Sequence, residues 1–387
     1  MRVSAPPRGG GCSTDTHDFF TRKEYFVKRI IFILISLFAL LAMAACSSDD
    51  DNGDPTPAAT TSATSGATSS EPVTLRLGYF PNVTHAQPQV GLARGTFADA
   101  LGPNVSVETT TFNAGPAVIE ALFAGEIDIS YIGPNPAING YVQSDGEALR
   151  VIAGATSGGA RLIVRPEANI TTAADFDGKK VATPQLGNTQ DVALRSWFAA
   201  NGLNAREQGG NVQVLPTANA DQLTLFQNGD IDASWAPEPW ATRLELEAGG
   251  VEFLNEAELW PNGQYVTTHI IVATGFLEDH PDVVENFLKA HVETTEWINA
   301  NPEEAKTLVN QSIEEITSKP LTQETIDGAW ANIEITYDPI ASSLAKSAAD
   351  AFELGYLDED PDLSGIYALD LLNKVLREKN LPEVSGL

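Results

Sequence analysis

Positive charge is scarce in this chain. Lys and Arg number 23 against 52 Asp and Glu, for a formal net charge of −29. A surface so poor in cations cannot displace the counterions of a nucleic acid, which excludes that partner. The excess of acid favours solubility and names no ligand. Cysteine is nearly absent too: Cys12 and Cys46 are the only two, and no disulfide framework remains if processing removes the first. There is no H-E-x-x-H, and His85, His269, His280 and His291 lack the close spacing of a metal set. No metal, cofactor or catalytic residue is therefore expected. One long apolar run stands at residues 30–41, at the short end for a bilayer span.

A pattern occurs twice. Gly125-Glu126-Ile127-Asp128-Ile129-Ser130-Tyr131 leads into Pro134-Asn135-Pro136, and Gly229-Asp230-Ile231-Asp232-Ala233-Ser234-Trp235 leads into Pro237-Glu238-Pro239. Each copy follows an apolar helix end, Ala121-Leu122-Phe123 or Thr224-Leu225-Phe226. The glycine suits a left-handed C-cap. Alternation of Ile127, Ile129 and Tyr131 predicts a short strand, and two prolines predict a stiff turn after it. Ligands of open α/β sheets bind beyond the carboxyl ends of strands. Two such units imply two similar lobes, each offering its P-x-P turn to a shared cleft. The alternative is an ordinary helix-to-strand link of any α/β protein.

The chain of 387 residues allows one large or two medium domains. Lys28 and Arg29 precede the apolar run, and Ala44-Ala45-Cys46 follows it. This charged, apolar and small-residue order is that of a secretory signal. It resembles a bacterial lipoprotein signal, which implies that Cys46 is lipidated, although Met43 stands where Leu is usual. The polar stretch before Lys28 suggests a true start downstream, near Val27. Residues 47–70 are mainly Asp, Ser, Thr, Ala, Gly and Pro without aromatics, a flexible tether. Val73, Leu75 and Leu77 begin the folded part as a strand. Strands and helices then alternate with short links, which predicts parallel pairing and right-handed crossovers. Leu149 to Ala153 reads as a strand ending in a Thr156-Ser157-Gly158-Gly159-Ala160 loop. Asn188 or Thr189 caps a helix with Leu194, Trp197 and Phe198 on its apolar face. Residues 266–272 read as a strand returning to the first block, and residues 281–387 are mostly helical.

Gly78-Tyr79-Phe80-Pro81-Asn82 with His85, Asn113-Ala114-Gly115, Gly133-Pro134-Asn135-Pro136 and Trp235-Ala236-Pro237-Glu238-Pro239-Trp240 carry a family resemblance over roughly residues 73–300. The chain resembles ABC-importer solute-binding proteins of the nitrate, sulfonate and taurine group, related to binders of thiamine-pyrimidine precursors. The resemblance implies an α/β, two-lobed periplasmic-binding-protein-like fold of type II with its ligand cleft between the lobes. Residues 73–159 plus 264–387 form lobe 1 and residues 160–263 lobe 2, behind a signal (1–45) and a lipidated Cys46 with tether (46–72). Closure on the ligand is a hinge motion. The implied partners are a small solute, an ABC permease with its ATPase, and a membrane reached through the lipid. The protein is expected to be an extracytoplasmic monomer without catalysis.

An anion needs donors, and helix N-termini supply them. The expected site comprises Tyr79, Phe80, Pro81, Asn82, His85, Asn113, Gly115, Asn135, Ser157, Gly158, Asn188, Thr189, Gln190, Trp235, Glu238 and Thr268. Tyr79, Phe80, Trp235 and Trp240 either clamp an organic group or fill the core, and for Trp240 the core is expected. Glu238 pairs with an ammonium, faces solvent, or bonds the opposite lobe. The ligand is thus a sulfonate-, nitrate- or taurine-like solute, or else a pyrimidine or other small aromatic vitamin precursor. A secreted hydrolase is the rival class. Ala155-Thr156-Ser157-Gly158-Gly159 loosely matches a nucleophile elbow, but Arg161-Leu162-Ile163-Val164 continues as a strand where an elbow requires a helix.

Overall fold

The computed structural model describes residues 72–387. The expectations for the signal, Cys46 and the tether up to residue 71 lie outside the described residues. Among these residues no helix is long and apolar enough to cross a membrane.

In chain order the elements are β1 (Val73–Tyr79), α1 (Ala86–Ala93), α2 (Thr96–Leu101), β2 (Val105–Thr111), α3 (Gly115–Phe123), β3 (Ile129–Ile132), α4 (Pro134–Gln143), β4 (Leu149–Gly158), β5 (Ala160–Val164), β6 (Lys180–Thr183), α5 (Thr189–Ala200), β7 (Gln213–Pro216), α6 (Asn219–Asn228), β8 (Ala233–Pro237), α7 (Trp240–Ala248) and β9 (Val251–Asn255). After them come β10 (Val266–Ala273), α8 (Thr274–Asp279), α9 (Pro281–Ala300), α10 (Pro302–Thr317), α11 (Gln323–Trp330), β11 (Ile333–Ile335), α12 (Ala341–Glu353) and α13 (Asp370–Glu378). They build two sheets, β11-β4-β10-β3-β1-β2 and β7-β6-β8-β5-β9.

The sheets share one plan. In the first, β1 pairs in parallel with β2 and β3, and β10 lies antiparallel to β3 and β4. In the second, β6 pairs in parallel with β7 and β8, and β5 lies antiparallel to β8 and β9. Helices cover both faces of each sheet. Phe97, Phe287, Leu372 and Val375 pack on one face of the first, and Val118, Ile138 and Leu344 on the other. Phe176, Phe198 and Trp235 fill one face of the second, and Leu223, Phe226 and Leu244 the other. This explains why all four residues of β3 are buried where alternation was expected: a parallel strand covered on both faces has no solvent side.

The expected loop at residues 156–160 is instead the end of β4 and its passage into β5. Gly158 and Gly159 carry the chain from one sheet to the other at φ 76° and 79°. A Cβ on Gly158 would stand 2.7 Å from the Asn332 carbonyl oxygen, and one on Gly159 2.5 Å from Ile333 Cγ2. Left-handed backbone and a close neighbour both require glycine here.

The repeated motif builds the fold. Gly125 and Gly229 close α3 and α6 at φ 70° and 80°. Asp128 accepts from the Arg76 amide at 2.8 Å, and Asp232 from the Lys180 amide at 2.9 Å. Each aspartate therefore ties the start of its own strand to the sheet's leading strand, at the middle of β1 in one half and the first residue of β6 in the other. Tyr131 and Trp235 are fully buried and bond outward, Tyr131 to His291 Nδ1 at 3.0 Å and Trp235 Nε1 to Glu256 at 2.8 Å. The prolines differ from expectation: Pro134 and Pro136 lie in the first turn of α4, while Pro237 ends β8 and Pro239 precedes α7. Pro134 fits there because the first helical turn needs no N–H from it.

Candidate functional site

Between the carboxyl ends of β1–β3 and β6–β8 lies a narrow cavity of ≈ 30 Å³. Its wall repeats the pseudo-symmetry of the sheets. The loop after β1 gives Phe80, Asn82, Thr84 and His85, and the loop after β6 gives Pro184, Asn188, Thr189 and Gln190. Asn113, Ala114 and Gly115 open α3 as Asn219 opens α6; Gly133 and Pro136 follow β3 as Pro237 ends β8. Thr267 and Thr268 of β10 complete it. The starts of α3, α4, α5 and α6 thus converge on one space, where their free N–H groups and dipoles favour negative charge.

No Asp, Glu, Lys or Arg lines this cavity. His85 is its one titratable wall residue. Burial pushes the imidazole down to about 3, so it is neutral near pH 7. The Phe80 amide donates to its Nδ1 at 3.3 Å, which leaves Nε2 to carry the proton and to donate. The same selection recurs around the wall. Trp240 Nε1 donates to Asn82 Oδ1 at 3.0 Å, leaving the Asn82 amide nitrogen. The Asp191 amide donates to Asn188 Oδ1 at 2.9 Å, and Asn188 Nδ2 to Gln190 Oε1 at 2.9 Å, leaving the Gln190 nitrogen. Thr189 Oγ1 is buried against the cavity with no partner, and it faces Gly133, where a Cβ would approach it to 2.3 Å. Acceptors remain on β10, because Thr267 and Thr268 donate their protons to the Gly158 and Thr84 carbonyls.

The start of α5 is fixed from below. Asp191 accepts from Thr183 Oγ1 at 2.9 Å, the Gly187 amide at 3.0 Å and Arg195 Nε at 3.1 Å. Tyr356, from the segment after α12, donates to the same carboxylate at 2.6 Å. Asp191 is fully buried, and these donors compensate its lost hydration.

Of the sixteen residues expected at the site, Phe80, Asn82, His85, Asn113, Gly115, Asn188, Thr189, Gln190 and Thr268 line the cavity. Seven do not. Tyr79 belongs to the core beneath the first sheet, and Pro81 sits in the turn behind Phe80 without reaching the wall. Ser157 and Gly158 are strand residues at the crossing. Trp235 points away, into the second sheet's core. Asn135 turns outward and donates to the Ser347 carbonyl at 3.1 Å. Glu238 is fully buried. It accepts from Arg161 Nε at 2.9 Å, the Thr242 amide at 3.1 Å and Asn332 Nδ2 at 3.1 Å. Burial holds its carboxyl above the usual range, and the Arg161 charge opposes that only in part. It meets the opposite half through Asn332, not a ligand. Eight further residues line it that were not named as site residues: Thr84, Ala114, Gly133, Pro136, Pro184, Asn219, Pro237 and Thr267, of which Pro136 and Pro237 belong to the two P-x-P turns expected at the cleft. The pseudo-symmetry is a signal for one of them: Asn219 opens α6 much as Asn113 leads into α3.

A family model described as the NMT1-like family matches residues 68–313, more than half of the chain. The chain belongs to the NMT1-like family. Among curated proteins, this NMT1-like chain is 25% identical over 224 residues to the taurine-binding periplasmic protein of Escherichia coli K12, a match covering 57% of this chain and 66% of that protein. It is 24% identical over 293 residues to the putative aliphatic sulfonates-binding protein of Bacillus subtilis 168, covering 74% and 83% respectively. Among solved structures, the periplasmic nitrate-binding protein NrtA of Synechocystis PCC 6803 superimposes with a TM-score of 0.69 at 16% identity, over 81% of this chain and 90% of that one. At that identity the likeness shows the fold alone, which is the α/β periplasmic-binding-protein fold. These named relatives are binding proteins, not enzymes.

Proposed function

We propose that this NMT1-like protein is the extracytoplasmic solute-binding component of an ABC importer, capturing a small sulfonate- or nitrate-like anion for a membrane permease and its ATPase. The observation that carries the reading is the cavity wall: four helix N-termini, no carboxylate, and side chains whose acceptors are already engaged so that their nitrogens are left to donate. A ligand that adds an ammonium or hydroxyl to its anionic head, as taurine does, finds acceptors in Thr267 and Thr268. An aromatic vitamin precursor fits less well, since Phe80 is the only Phe, Tyr or Trp on the wall. In this reading two lobes, 73–159 with 264–387 and 160–263, close on the solute, the protein acts as a monomer, and it catalyses nothing.

Calorimetry with nitrate, methanesulfonate and taurine tests the reading. At least one of them binds saturably, and Thr189→Val weakens it about five- to hundredfold, as loss of one buried hydrogen bond of about 1–3 kcal/mol would. The apo melting temperature stays level, because the Thr189 hydroxyl has no partner to lose. Absence of binding by all three anions at millimolar concentration would overturn it.

The anchor is the second part of the proposal. Lipidated Cys46 would hold the domain at the membrane through the tether, with two or more acyl chains giving a stable attachment. Radiolabelled fatty acid should enter the wild-type protein and not Cys46→Ser; equal labelling of both rules the anchor out.

A further inference from the structure

The loop between β1 and α1 leaves the Asn82 side-chain nitrogen and His85 Nε2 as donors on the cavity wall, while its carbonyls are held elsewhere. The Asn82 carbonyl accepts from Gln89 Nε2 at 2.7 Å and from the His85 amide at 3.0 Å. The His85 carbonyl accepts from the same Gln89 nitrogen at 2.9 Å. The Thr84 carbonyl accepts from Thr156 Oγ1 at 2.7 Å and Thr268 Oγ1 at 3.0 Å. Gln89 is buried at 1% exposure and is not part of the cavity wall. Its own Oε1 has no partner, so the side chain is oriented by its donor end. Two carbonyls facing one amide fix that orientation, since only the NH₂ can bond both. The second half uses the same device. Gln222 Nε2 donates to the Thr217 carbonyl at 2.6 Å, just before α6, and Ser234 of the repeated motif holds Gln222 through its Oε1.

We propose that Gln89 is a positioning residue that sets the charge preference of the cavity, by holding the Asn82 and His85 carbonyls away so that the loop meets the ligand with donors. A carbonyl released toward the cavity places a partial negative charge beside an anion's oxygens. The same carbonyl accepts from a neutral ligand that carries an NH₂. Removing the Gln89 donor therefore discriminates between ligands of one shape and different charge. The inference rests on the reading of the site as an anion pocket.

The test compares methanesulfonate with its neutral near-isostere methanesulfonamide by competition calorimetry on the full chain, in wild type and Gln89→Met. Methionine keeps the length and apolar stem and loses the donor. Methanesulfonate affinity falls about tenfold while that for the amide changes less than about twofold or rises, so their ratio collapses. Equal losses for both ligands, or no loss for either, overturn the inference and leave the anion reading intact. A wild type that binds no anion overturns both. Should Gln89→Met fail to fold, Gln89→Leu, which likewise lacks the donor and lies off the cavity wall, must give the same fall in ratio for the inference to stand.

Discussion

The two copies of the repeated motif run alike from the glycine to the aromatic residue and part company in the turn that follows. Up to the aromatic residue the key positions do the same work in both halves: glycine closes a helix, aspartate ties its strand to a backbone amide of the neighbouring strand, and Tyr131 or Trp235 bonds to a residue outside the sheet. Beyond it, the first copy enters α4 at once and places Gly133 and Pro136 on the cavity. The second ends its strand at Pro237 and buries the Glu238 carboxylate under Arg161. What repeats is the scaffold; both turns reach the wall, through Gly133 and Pro136 in one half and Pro237 in the other, and the second also carries, in Glu238, a contact between halves. The recurrence therefore points to the wall, while the centre of each turn, Asn135 or Glu238, is engaged away from it.

That contrast can be broken by substitution. The largest effect is expected at Glu238. Arg161 is 5% exposed and pairs with Glu238 at 2.8 Å, Glu245 at 2.7 Å and Glu252 at 2.8 Å. Glu238→Ala removes the one partner that is fully buried, and breaking such a pair costs about 3–5 kcal/mol. Its counterpart in the first copy, Asn135→Ala, loses one hydrogen bond to Ser347 and about 1 kcal/mol. Chemical denaturation of the two apo variants measures the gap, and equal midpoints would contradict the division of labour between the copies.

A smaller asymmetry is expected at the shared aspartates. Asp128 accepts from the Arg76 amide and from both Nε and Nη2 of its guanidinium, whereas Asp232 accepts from the Lys180 amide alone. Asp128→Ala should cost about 2 kcal/mol, within the range for charged hydrogen bonds, and Asp232→Ala about 1 kcal/mol. Both should leave ligand affinity unchanged. Loss of binding in either at full folding would show that these aspartates act on the site after all.

The sequence could be read correctly wherever the cause was local. Asn188 caps α5 by accepting from the Asp191 amide, a contact three residues long. Gly125 and Gly229 follow from the helices they close. Three of the misplaced site residues have distant causes. Glu238 is explained by Arg161 and Asn332, Trp235 by Glu256, and Asn135 by Ser347. None of these partners is marked by spacing. Chemistry alone made Glu238 and Trp235 attractive as ligand contacts, and only the burial of their polar ends by other elements assigns them to the interior. Thr84, Pro184 and Thr267 were missed because wall positions of this kind carry no residue-type signature.

The strand order also governs when each half can be completed. The second sheet is contiguous in sequence: all five of its strands fall between Ala160 and Asn255. The first is not. Its β10 lies between β3 and β4 yet begins only at Val266, and its edge strand β11 begins at Ile333. A nascent chain that has emerged to residue 255 holds every strand of the second sheet but leaves β3 and β4 with open edges toward each other, the kind of unpaired strand that invites wrong partners. The half that is made first must finish last.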